Sequence, residues 1–159
     1  MIHLTLISVG TLKEDYLKDA VSEYKKRLSQ FARVDEINIK EVPIKNEDSE
    51  AEIAKALDAE SEKIIAAMPD DSYKIALCVE GKQFDSLSLA QIIQNASDKS
   101  GKISLVIGSS HGLSEKVKSI CALRISVSKM TFPHQLMRVI LMEALYRSFT
   151  IIAGKKYHK

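Results

Sequence analysis

The chain has two cysteines, Cys78 and Cys121, and each lies inside an apolar run rather than in the short paired spacings of a metal cluster or a disulfide framework. Buried, reduced thiols and no metal site are therefore expected. No stretch approaches the roughly 20 apolar residues of a membrane span. Met1-Ile2-His3-Leu4 lacks a basic leader with a cleavage site. A soluble, cytoplasmic protein with no membrane partner is expected. There is no internal repeat, low-complexity tract or linker. The glycine signatures of nucleotide-binding loops are also missing: Gly108-Ser109-Ser110-His111-Gly112 has a serine where GxGxxG needs its second glycine, and no Gly-Lys-Ser/Thr follows it.

What is present fits one compact unit. The 159 residues, 45% of them apolar, can bury one good core and are too few for two ordinary domains, so residues 1–159 are expected to form a single domain. The net charge of +2 is unevenly distributed: residues 124–159 hold seven Lys/Arg and one acid, Glu143, leaving the rest of the chain acidic. Such a basic field suits a phosphate-rich partner. It is equally the composition of a solvated basic end.

Periodicity predicts alternating strands and helices. Ile2–Val9 is β-prone, and Leu17, Ala20, Val21, Tyr24, Leu28 and Phe31 recur at helical spacing. Val34–Val42 alternates before Pro43, as an edge strand does. A helix is expected over residues 49–68, a buried strand over Tyr73–Val79, a helix over Leu87–Ala96 and a second buried strand over Ile103–Ile107. Leu113–Ile120 reads as a short helix and Leu123–Val127 as a last strand. A helix then runs from His134 to Ile152, started by Pro133 and apolar nearly all round. In so small a domain its second cover is expected to be another subunit, giving a two-fold homodimer.

Alternating β and α elements imply an α/β fold with a mostly parallel sheet flanked by helices, which binds ligands beyond the carboxyl ends of its strands. Three stretches follow such ends: Gly81-Lys82, the loop from Gly108, and the turn from Ser128. They are expected to line one pocket. The Gly108–Gly112 loop would let backbone approach a ligand or cradle an anion, though a plain strand-to-helix turn has the same composition. Ser128-Lys129-Met130-Thr131-Phe132-Pro133-His134-Gln135 offers hydroxyls, an amine, a thioether and a ring to a polar ligand with an apolar part. A simple helix cap is the alternative. Arg138 and Arg147 are nine residues apart on the last helix and so point to opposed faces, either as functional cations or as snorkelling surface arginines. The terminal Tyr157-His158-Lys159 reads, on its own, as a frayed end.

Taken together, GSSHG, SKMTFPHQLMRVILMEALYRSF, the closing YHK and the opening IHLTLISVGTLKEDYLKDAVSEYKKRL resemble the RlmH family, a minimal branch of the SPOUT methyltransferases, over essentially the whole chain. The resemblance implies a trefoil knot in the C-terminal part, about residues 73–159, which no general rule of chain topology would select. It further implies a homodimer, S-adenosylmethionine as methyl donor, and N3 of a pseudouridine in 23S ribosomal RNA of the assembled ribosome as acceptor. Carried over by motif, the donor pocket falls on Leu77, Gly108, Val127, Ser128, Lys129, Met130, Thr131 and Phe132. Arg147, Tyr157 and His158 match positions tied to substrate recognition or catalysis, and His134 and Arg138 are placed on the substrate side. Ser109 departs from the second glycine usual in the family. A non-catalytic ribosome-binding dimer and a methyltransferase acting at another RNA position are the alternatives.

Overall fold

The computed structural model describes residues 1–157. Five strands, β1 (Ile2–Val9), β2 (Ala32–Ile39), β3 (Tyr73–Lys82), β4 (Lys102–Ile107) and β5 (Leu123–Ile125), form one sheet in the order β2-β1-β4-β3-β5. Every pairing is parallel. The helices are α1 (Asp15–Leu28), α2 (Glu50–Ala67), α3 (Ser86–Ser100), α4 (Glu115–Ile120) and α5 (His134–Ile152). The expected α/β architecture is thus present, with β2 on an edge as Pro43 and its alternation predicted.

The central strands are buried on both faces, and their side chains divide by parity. Leu4, Leu6, Ile75, Leu77, Ile103, Leu105 and Ile107 meet Val21, Leu28, Ile93, Leu141, Leu145 and Phe149 of α1, α3 and α5. Ile7, Val9, Ala76 and Val106 turn the other way, onto Ile64, Met68, Leu113 and Val117 around α2 and α4. The result is three layers with α5 lying between α1 and α3. No helix among the described residues is long and apolar enough to cross a membrane.

Three boundaries differ from the sequence reading in ways that matter for the site. β3 runs on to Lys82, and its pairing with β5 shifts register between Leu77 and Lys82. This irregularity turns Cys78–Glu80 toward the strand-end crevice and draws Gly81 against β5, where an added Cβ would stand 2.5 Å from the carbonyl carbon of Ile125. Gly81-Lys82 is therefore strand, packed against its neighbour, rather than pocket loop. β5 stops at Ile125, with the Ser126 N–H donating to the Lys82 carbonyl, so residues 126–133 are free to form a long turn. The Leu113 helix begins two residues late, at Glu115, because Ser114 caps it by accepting from the Val117 N–H.

Glu60 on α2 is only 2% exposed, yet it carries a carboxylate that accepts from the Val42 N–H at 3.2 Å. Burial pushes its pKa above the ordinary 4.5, Glu41 adds to the rise, and the Val42 bond, His111 and Lys63 oppose it. A raised folded-state pKa gives stability that is complete below the ordinary carboxylate value and is lost as pH rises through the raised one. Glu60→Gln, which keeps the acceptor and removes the charge, is expected to melt higher than the parent at neutral pH and together with it in acid. Thermal melts across that range check this.

Candidate active site

At the carboxyl ends of β3, β4 and β5 lies a cavity of about 620 Å³, within the range of small-molecule sites. Its floor is Leu77, Ile107 and Ile125, all buried ends of core strands. One wall is the loop 108–113, a second is residues 126–128 and 130–133, and the first turn of α5 closes it with His134 and Met137.

The first wall is shaped by its glycines. The Gly112 N–H donates to the Ser109 carbonyl at 2.9 Å, and the His111 N–H to the Ser109 hydroxyl at 3.3 Å. Gly112 adopts φ 82°, a left-handed conformation that favours glycine. At Gly108 a Cβ would stand 2.5 Å from the carbonyl carbon of Gly112, closer still to its oxygen, and 3.0 Å from Leu113 Cγ. The loop thus folds back on Gly108 itself. Ser109, the departure from the family pattern, is buried and supplies both bonds that hold this turn.

In the second wall Ser126 donates to the Ser128 carbonyl and the Ser128 hydroxyl accepts from the Met130 N–H at 2.9 Å, so the hydroxyls hold the turn's shape. Val127 and Met130 are exposed, at 40% and 71%, leaving apolar surface at the mouth. Of the residues placed at the donor pocket from sequence, Leu77, Gly108, Val127, Ser128, Met130, Thr131 and Phe132 line this one cavity, while Lys129 lies on the exposed outside of the turn. Gly81 and Lys82 do not line it; Leu77–Glu80 do. An ion pair missed in the sequence, Glu80 with Lys118, forms part of the same rim.

The positions placed on the substrate side separate. His134 borders both the cavity and an adjoining depression of about 350 Å³ formed with Gly10, Lys13, Asn38 and Lys40 at the ends of β1 and β2. Arg138 is 6% exposed and faces inward: its guanidinium donates to the Gly10 carbonyl at 2.6 Å and to Asn38 Oδ1 at 2.9 Å. It ties α5 to the ends of β1 and β2. Replacing it with methionine would remove both bonds that tie α5 to Gly10 and Asn38, at a cost of about 1–3 kcal/mol. Urea unfolding of Arg138→Met is expected to show that loss.

Arg147 lies on the opposite side of α5, as the nine-residue spacing predicted. Its Nε and Nη2 donate to Glu143 Oε1 at 3.0 and 2.5 Å, and its guanidinium sits 4.8 Å from the centre of the Tyr157 ring. Tyr157 donates to Glu143 Oε2 at 3.0 Å and meets Tyr146 edge-on at 4.8 Å between ring centres. The tail is therefore docked as far as Tyr157; His158 lies outside the described residues. Burial, then the bond to Glu143, raises the pKa of Tyr157, and the same two causes push Tyr24 on α1 up to about 12. Both phenols are neutral at physiological pH, and Tyr157 donates. Glu143 was not singled out from sequence as a site residue, although its place one turn before Arg147 is the spacing of a helical ion pair.

Arg147 follows Met137, the last cavity residue on α5, by ten residues, so it lies about 15 Å along the helix from the cavity. Within one chain, the cavity and the Arg147–Tyr157 cluster are two separate places. The partly exposed side of α5 carries Leu136, Ile140 and Ala144 between them and Ile151 beyond, an apolar stripe at helical spacing. No group of His, Cys, Asp and Glu among the described residues has the arrangement of a metal site.

A family model described as a predicted SPOUT methyltransferase matches residues 2–158. A Methanococcus vannielii protein is 48% identical over 159 residues, 99% of this chain and 100% of its own length. The ribosomal RNA large subunit methyltransferase H of Streptococcus thermophilus is 45% identical over 155 residues, covering 97% of this chain and 98% of that protein. That of Caldicellulosiruptor saccharolyticus is 42% identical over 156 residues, 98% and 99% of the two chains. Among solved structures, one from Bordetella pertussis described as a probable methyltransferase superposes with a TM-score of 0.60 at 14% identity, covering 91% of this chain and 93% of that one. A methylase-family structure from Haemophilus influenzae gives 0.56 at 16% identity, over 99% and 70%. At these identities the structural likeness is one of fold. The full-length sequence matches go further: the chain belongs to the SPOUT methyltransferases and, within them, to the ribosomal RNA large subunit methyltransferase H family.

Proposed function

We propose that this protein methylates N3 of a pseudouridine in 23S ribosomal RNA, in the assembled ribosome, with S-adenosylmethionine as donor and as a homodimer. The relatives named for large-subunit RNA methylation align over nearly the whole chain, including every stretch that builds the cavity. The observation that carries the mechanism is the separation of the cavity from the Arg147–Tyr157 cluster along α5.

The cavity residues fit the donor. Leu77, Ile107, Ile125 and Met137 offer an apolar bed for a flat base, and the backbone of residues 126–133 supplies N–H and C=O groups at its edge. Glycine at 108 keeps the opposing loop tight. When bound, the donor contributes a sulfonium whose methyl is ready for displacement. The protein's task is then to hold the acceptor nitrogen in line with it, the kind of positioning that supplies much of a rate enhancement.

The acceptor N3–H must also lose its proton, and a cation beside the base favours the anion that attacks. Arg147 is assigned to that role together with His158, and Tyr157 to stacking on or bonding the base. These groups reach the cavity from a partner whose α5 packs, two-fold related, along the stripe of Leu136, Ile140, Ala144 and Ile151. One protomer holds the donor and the other presents the tail. His134 and the basic edge of the adjoining depression, Lys13 and Lys40, face the RNA, while Arg138 supports them from within. The trefoil knot implied by the family resemblance belongs to the same reading. Shape and phosphate contacts of the ribosome supply specificity that so small a chain does not carry alone.

Calorimetry with S-adenosylmethionine tests the first step. Saturable binding is expected at one site per protomer. No heat and no competition by the demethylated product would leave a non-catalytic ribosome-binding dimer as the better reading.

A further inference from the structure

We propose that Glu143 is a positioning residue that sets the tail and Arg147 for the acceptor base, a proposal that rests on the reading of Arg147 and Tyr157 given above. One carboxylate holds groups from two parts of the chain. Its Oε1 takes two donors from Arg147 of the same helix, and its Oε2 takes the Tyr157 hydroxyl from the tail. The Tyr24 phenol of α1 lies in the same cluster, its ring centre 6.3 Å from that of Tyr146.

Each bond fixes a degree of freedom that the reaction uses. An arginine on a half-exposed helix face samples many rotamers, and two donors on one oxygen select one of them. That rotamer lies over the Tyr157 ring, so the guanidinium and the ring are fixed relative to each other. Tyr157 in turn rests edge-on against Tyr146, which is packed between Tyr24 and Phe31. Backbone contacts alone do not specify where a tail three residues from the chain end should lie. The carboxylate and the tyrosine cluster do.

Glu143 itself is not placed at the reacting atoms. Its oxygens are occupied by donors, and the negative charge partly balances Arg147, leaving a cation oriented for a base without being left unpaired in a half-buried site. A carboxylate at this position therefore orders the cluster before RNA arrives, which lowers the cost of fixing these side chains on binding.

The test compares Glu143→Ala and Glu143→Gln with the parent, using isotope-labelled tyrosine observed by NMR and, in parallel, steady-state methylation of ribosomes. A Tyr157→Phe variant assigns the ring signals. In the parent, Tyr157 resonances are expected to be displaced by the ring current of Tyr146. In Glu143→Ala they are expected to collapse toward free-tyrosine positions, and in Glu143→Gln to move part of the way. Turnover of ribosomes should fall by about tenfold or more in Glu143→Ala, equivalent to about 1.4 kcal/mol. The affinity for S-adenosylmethionine and the melting temperature should change little, which separates positioning from a general loss of structure. Released Tyr157 signals with unchanged turnover would overturn the proposal, as would unmoved signals. A parent protein that fails to methylate ribosomes at all would instead sink the functional reading, and the NMR comparison would still report whether Glu143 orders the tail.

Discussion

Gly108→Val is expected to abolish binding of S-adenosylmethionine, lowering affinity by about a hundredfold or more, equivalent to about 2.7 kcal/mol, while the protein still folds. From the sequence, the glycine looks like space left for a ligand. The structure gives a different reason: the space is already taken by the loop's own return. A Cβ at this position would press on the Gly112 carbonyl and on Leu113 Cγ, so the segment from Ser109 to Gly112 would have to move outward. That segment is a cavity wall. Overpacking of this kind costs about 1–3 kcal/mol, less than the stability of an ordinary domain. Far-ultraviolet circular dichroism should therefore remain native while calorimetry detects no donor. Gly108→Ala is expected to show the same defect in milder form. Retained affinity in the valine variant would refute the assignment of the cavity to the donor.

Removal of Tyr157, His158 and Lys159 is expected to have the converse effect: donor affinity survives and ribosome methylation falls by at least about a hundredfold. The tail docks on Glu143 and Tyr146, six and nine residues past Met137, the last cavity residue on α5, or about 9–14 Å along the helix from the cavity of its own chain. Its loss should leave that cavity undisturbed. The two defects should also complement each other. A dimer of one Gly108→Val protomer and one truncated protomer retains one intact cavity and one intact tail, contributed by different chains. Mixed dimers are expected to regain activity that neither parent homodimer has. If activity does not return in mixed dimers shown to have formed, each protomer must use its own tail, and the composite site fails.

The sequence was informative wherever a signal is local and periodic. The continuous apolar runs of β3 and β4 identified strands buried on both faces, and the spacing of α5 was legible because its apolar residues continue around the helix. Signals that depend on long-range register were not legible. Nothing in Cys78-Val79-Glu80-Gly81-Lys82 announces that the strand continues through an irregular pairing with β5, because the partner lies more than forty residues away. That one shift decides that Glu80 rather than Lys82 reaches the cavity rim. Arg138 shows the same limit. Its type and place in the basic C-terminal part of the chain suggested RNA, whereas its partners, Gly10 and Asn38, are a hundred or more positions earlier in the chain. Glu143 could have been found from its spacing to Arg147, but a lone ion pair on a helix is common and carries no functional signal by itself. The ends of the elements were displaced where a cap decided them, as Ser114 does for α4.

The family resemblance supplied what spacing could not, namely the methyl donor, the acceptor base and the role of the chain end. The structure adds a tight glycine loop, a hydroxyl-held turn, and a carboxylate that accepts from both Arg147 and Tyr157. The central claim is that this chain transfers a methyl group to N3 of a pseudouridine in large-subunit RNA. Mass spectrometry of ribosomal RNA from a strain lacking the gene, before and after its ribosomes are incubated with the purified protein and S-adenosylmethionine, tests that most directly. The account predicts one pseudouridine in 23S RNA that is unmethylated at the start and gains a single N3 methyl on incubation. A methyl gained only on another base, on ribose or on tRNA, or no methyl gained at all, would contradict it.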